Sequence, residues 1–84
     1  MVDLRDHVLT KLGASGFYLD EDGQDIIVSA RGTPAETQHA RIRVLQTSAK
    51  VVSGKGMWAR KKYLAFLQGN VTSWVEAWKA EQVG

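Results

Sequence analysis

The chain has 84 residues, 44% of them hydrophobic and 24% charged, which is the composition of one ordinary globular domain and excludes a disordered tail. A domain this small buries only roughly 60–65% of its unfolded surface, so its stability is modest. The net charge is +2 and there is no cysteine, which rules out a disulfide framework and a thiolate metal site.

No apolar run approaches the roughly 18 residues that a membrane span needs. The opening residues, Met1 to Asp6, lack the basic-then-apolar layout of a secretory signal. With the missing cysteines, this predicts a cytoplasmic protein with no membrane association. The charges are unevenly spread. Seven of the nine acids lie in the first 36 residues, and eight of the eleven cations lie from Arg41 onward. Such asymmetry marks an anion-binding face, or two halves that attract each other.

In chain order, Asp3 to Leu12 is predicted as a helix. Asp3 supplies the N-cap carboxylate, and Leu4, Val8 and Leu12 form one stripe with Leu9 beside it. Gly13 is the expected stop. Phe17 to Asp20 is a short strand. Asp22-Gly23 signals a hairpin turn. Asp25 to Ala30, with Ile26, Ile27 and Val28, is a second strand suited to burial.

Thr33-Pro34-Ala35-Glu36 matches a helix start. Two readings compete for the next stretch. One is a long helix to Val52. The other is a short connection and then a strand from Ala40 to Thr47. The alternation Arg41-Ile42-Arg43-Val44 favours the strand, and a two-stranded hairpin needs a third partner. Ala49 to Gly56 is a loop or a short edge strand. Met57 to Gln68 is a second main helix, with Gly69 as its stop. Asn70 or Ser73 then caps a last helix carrying Val71, Trp74, Val75 and Trp78. The fold class is α+β: an N-terminal helix, a three-stranded, mostly antiparallel sheet and a C-terminal helical hairpin.

The functional signal centres on Ser53 to Leu67. On a helical wheel, Met57, Ala59, Tyr63, Leu64, Phe66 and Leu67 make an apolar arc, with Trp58, Lys61 and Lys62 opposite. Trp58 precedes the two lysines by three and four residues, so all three side chains can meet on the helix surface. A tryptophan among lysines can stack on a base while the lysines neutralise phosphates. Lys50 and Lys55 extend the patch, and Arg41, Arg43 and Arg60 reinforce it. Ser53-Gly54-Lys55-Gly56 lacks phosphate-loop spacing.

The acids Asp20, Glu21, Asp22 and Asp25 crowd one hairpin, and clustered carboxylates hold magnesium through oxygen. Lys11-Leu12-Gly13 with Gly16-Phe17, then Asp22 to Val28, then Arg43 to Ser48, resemble the opening of the restriction-endonuclease-like PD-(D/E)xK superfamily. The resemblance covers roughly residues 4–50. It implies Asp25 as a metal-binding aspartate, and Gln46 stands where the family has its second acid. Ser48 occupies the family's lysine position. The resemblance therefore implies a nucleic-acid-binding relative without cleavage.

His7 and His39 are isolated, and no serine sits in a nucleophile elbow, so no catalytic residue is assigned. The reading is a small nucleic-acid-binding module without a cofactor. Its rivals are a protein-binding inhibitor or adaptor of phage or mobile-element type, whose acidic hairpin mimics nucleic acid, and a magnesium-dependent nuclease using Asp25.

Overall fold

A computed structural model describes residues 2–83. Helix α1 spans Leu4–Ala14. It is followed by strands β1 (Tyr18–Asp22), β2 (Asp25–Ser29), β3 (His39–Val44) and β4 (Ala49–Lys55). A 3₁₀ turn over Gly56–Ala59 leads into helix α2, Lys61–Val83. The class is α+β, as expected. The sheet, however, has four strands in the order β1-β2-β3-β4, each antiparallel to its neighbour. The C-terminal part is one helix of 23 residues, not a hairpin.

Helix α1 starts as its sequence predicts. The Asp3 carboxylate accepts from the Asp6 amide at 2.9 Å, and Leu4, Val8 and Leu12 are buried. It ends later than expected. The helix runs through Gly13, and Gly16, at φ +89°, makes the turn. The Phe17 amide reaches back to the Leu12 carbonyl and the Gly16 amide to that of Gly13, which is a Schellman closure. Phe17 is thereby delivered against the core.

The β1–β2 hairpin pairs Asp22 with Asp25 and turns through Gly23-Gln24. Gly23 takes φ +62°, the conformation a type II′ turn requires at its first central position. Residues between β2 and β3 form a connection with one turn, closed by Gln38 and Thr37 amides on the Pro34 carbonyl. The strand reading of Arg41 to Val44 holds. The fourth strand has a physical reason for its weak signal. Arg41 pairs with Ser53 and Ile42 with Val51, so Val52 is a bulge residue. A bulge reverses the side-chain alternation halfway along the strand.

Both helices lie on one face of the sheet. Ile26, Val28, Ala40, Ile42 and Val44 point to that face and share a core with α1 and with Leu67, Val71 and Val75 of α2. The stripe on α2 runs unbroken across Gly69, because Leu67 and Val71 are both essentially fully buried. That packing carries the helix past a residue that costs roughly 0.5–1 kcal/mol there. Two polar contacts fix α2 in place. Gln68 Oε1 accepts from the Val51 amide at 2.7 Å, closing part of the β4 edge. Trp78 Nε1 donates to the Val2 carbonyl at 2.8 Å, tying the end of α2 to the start of the chain.

Candidate nucleic-acid interface

The side chains opposite the helices begin with an acid–base network. Asp25 has its side chain only 8% exposed. Arg43 donates to it from Nε at 2.9 Å and from Nη2 at 3.3 Å, and Arg41 donates from Nη1 at 2.8 Å. The same Arg41 nitrogen reaches Asp22 at 3.1 Å. The register explains the meeting: Asp25 lies opposite Arg43, and Ile27 opposite Arg41. Hydrogen bonds from Arg43 and then Arg41 lower the Asp25 carboxyl from an ordinary 3.8 to about 2, against the opposing pull of burial. The same bonds raise both guanidinium groups above their usual range. On the helix side, Arg5 Nε holds Glu21 at 3.0 Å.

Part of the charge asymmetry in the sequence is therefore internal. Three arginines are spent on the acidic hairpin. Lys50, Lys55, Arg60, Lys61 and Lys62 make no salt bridge among the described residues. Lys50 pairs in register with Arg43, and Lys55 with His39, on the face away from the helices. Arg60, Lys61 and Lys62 come next, at the corner where the 3₁₀ turn becomes α2. Arg60 is extended, at φ −74° and ψ 136°, and its carbonyl accepts from the Leu64 amide at 3.1 Å. It thus occupies the N-cap position of α2 without a capping side chain. The first turn of α2 contains no acid.

Trp58 departs from its expected place. It lies in the 3₁₀ turn, not on α2, and is 4% exposed. Its ring meets Phe17 edge-on at 5.8 Å and Tyr63 at 6.3 Å. The wheel that sets Trp58 beside Lys61 and Lys62 assumes a helix from Met57, and the break at Arg60 changes the phase. Trp58 is a core residue, its indole N–H without an acceptor among the described residues. It also sits over Gly54: a Cβ there would run into the Trp58 backbone carbonyl.

Tyr18 on β1, under the Arg31 guanidinium, is 56% exposed, and Phe66 is the more exposed aromatic, at 67%. It stands one turn beyond Lys62 and borders an apolar groove formed with Phe17, Met57, Trp58 and Tyr63, which Lys62 also lines. The wheel drawn from Met57 places Phe66 in the apolar arc. With α2 phased on Leu67, Val71 and Val75, Phe66 falls roughly 100° from Leu67, at the margin of that stripe. The signal is present in the sequence and needs the helix continued through Gly69, so that Leu67, Val71 and Val75 define the buried stripe.

The PD-(D/E)xK resemblance implies Asp25 as a metal ligand, and the structure gives it other partners. Both its oxygens accept from guanidinium groups, and a cation arriving there meets two positive charges at hydrogen-bond distance. Among the described residues, no group of three His, Asp or Glu side chains is placed to hold a metal. Gln46 and Ser48 lie in the turn between β3 and β4, where the Leu45 amide donates to the Ser48 carbonyl at 2.8 Å. Comparison with protein-family models, with curated proteins and with solved structures finds no match. Among the described residues, no helix is long and apolar enough to cross a membrane.

Proposed function

We propose that this protein binds nucleic acid through the cations that run from β4 into the start of α2. One observation carries the reading. Arg60, Lys61 and Lys62 open a helix with no acid in its first turn, and neither they nor Lys50 and Lys55 have an ionic partner among the described residues. Cations beside a helix N-terminus oppose the macrodipole by about 0.3–1 kcal/mol each. A polyanion relieves that repulsion and gains the free amides of the first turn. Arg41 and Arg43, with side chains 30% and 44% exposed, flank the patch while tied to Asp25.

Most of the affinity comes from phosphates and falls steeply with salt. The test is an anisotropy titration with labelled single-stranded and duplex DNA and RNA at about 50 and 200 mM salt. Binding is expected at the lower salt and a loss of an order of magnitude or more at the higher. Lys61→Ala with Lys62→Ala is expected to weaken every nucleic acid and to flatten the salt slope by about 1–2. No binding at low salt refutes the reading and turns the search to a protein partner.

A further inference from the structure

Resting on the nucleic-acid reading, we infer that the groove beside Phe66 receives an unpaired nucleobase, which makes single-stranded nucleic acid the ligand. The groove has an apolar floor and wall of Phe17, Met57, Trp58 and Tyr63, and Phe66 rises at its margin. Phe66 also borders a second groove, with Phe17, Leu67, Asn70 and Trp74. Phe66 thus lines two depressions and is 67% exposed beside a helix stripe of Leu67, Val71 and Val75 that faces the core. Exposed aromatic rings serve single strands because every base presents a π-face, whereas the bases of a duplex are already stacked.

Charge complementarity selects the occupant. Lys62 lines the groove, one helical turn from Phe66, so their β-carbons are about 5–6 Å apart. Lys61 and Arg60 precede it without salt-bridge partners among the described residues. A strand with its base against Phe66 has its adjoining phosphates beside Lys62 and the amino end of α2. An uncharged apolar peptide would fill the groove but leave Arg60 and Lys61 unanswered and Lys62 with only the face of Tyr63, 5.1 Å away.

The experiment uses the full chain and oligonucleotides of about 12 residues, within the usual span of a single-strand site. Wild type, Phe66→Ala, Phe66→Tyr and Lys61→Ala/Lys62→Ala are compared on a single strand, on its duplex and on the same strand with abasic positions. Circular dichroism confirms the fold of each. Phe66 is exposed, so Phe66→Ala keeps the core intact. The expected result is tighter binding of the single strand than of the duplex. Phe66→Ala should lose about 5- to 150-fold on the single strand with an unchanged salt slope. Phe66→Tyr should retain affinity, and the abasic strand should bind wild type and Phe66→Ala equally. Salt-dependent binding that ignores Phe66, or that is equal on single strand and duplex, overturns this inference and spares the nucleic-acid reading. No binding of any oligonucleotide by wild type at low salt overturns both.

Discussion

Asp25 shows how one residue can organise a surface. Its carboxylate accepts three hydrogen bonds from two arginines on the neighbouring strand, and its carboxyl is lowered to about 2. A depressed carboxyl binds its proton more weakly in the folded state than in the unfolded one. The stability it contributes is complete above the unfolded value, about 3.9, and is lost as the pH falls toward the folded value. The denaturation midpoint of wild type should therefore drop between about pH 4 and pH 2. Asp25→Asn should lower the midpoint at neutral pH and flatten that drop, with denaturant titrations at several pH values as the measurement. An acid limb of the same depth in Asp25→Asn would show that other carboxylates dominate. The same residue shows what a sequence leaves out. Four acids at a hairpin suggest a metal, and the partners the structure gives Asp25, Arg41 and Arg43, lie 16 and 18 positions away. Only strand pairing reveals them. Trp58 and Phe66 exchange roles because the helix has other bounds. A wheel begun at Met57 starts four residues before Lys61 and so misplaces Trp58. One stopped at Gln68 omits Val71 and Val75, whose stripe leaves Phe66 at its margin.

At the scale of elements, the legible local signals are those satisfied within a few residues. The Asp3 cap, the turn at Gly23 and the stripe of Leu4, Val8 and Leu12 are of this kind. The fourth strand is half legible, as a loop or a short edge strand over Ala49 to Gly56, and the single long helix is not legible, because tertiary contacts decide them. The bulge at Val52 hides the alternation of β4, and the burial of Leu67 and Val71 carries α2 through Gly69. The two glycines respond in opposite ways to a methyl group. At Gly69 a Cβ meets nothing within 4 Å, so Gly69→Ala should stabilise the protein by about 0.5–1 kcal/mol, seen as a higher denaturation midpoint. At Gly54 a Cβ would clash with the Trp58 carbonyl and lie 3.0 Å from Leu64 Cδ2. Gly54→Ala should destabilise by about 1–3 kcal/mol or more through the displaced turn, measured in the same titration. Gln68 adds a third case. Its side-chain oxygen answers an amide of the β4 edge. Gln68→Leu should cost about 1–3 kcal/mol if that amide is left without water, and should raise the tendency of the edge to pair with other chains. Light scattering during a thermal ramp reports the second effect.

Across the whole molecule, charge is divided between two tasks. Three of the four acids of the hairpin, Glu21, Asp22 and Asp25, are paired from within by Arg5, Arg41 and Arg43, and those pairs help to hold the sheet together. Arg60, Lys61 and Lys62 instead crowd the amino end of α2, where helix physics disfavours them. A surface selected for stability alone would place a capping acid at Arg60 and another acid in the first turn. Arg60 already has the extended backbone of an N-cap, so Arg60→Asp can accept from the free amides without rearrangement. Lys61→Glu then adds a favourable charge to the dipole. Together the two changes should stabilise the fold by about 1–2 kcal/mol. For a domain of this length, that raises the melting temperature by about 4–8 °C per kcal/mol. The same pair should abolish nucleic-acid binding, because two cations of the contact surface become repulsive to phosphate. Stability and binding should therefore move in opposite directions, read by a thermal melt and an anisotropy titration on one preparation. A variant that gains stability and keeps its affinity would show that these cations do not touch the ligand. A variant that loses stability would show that Arg60 and Lys61 support the corner structurally, and the repulsion at the helix start would then need no ligand to explain it.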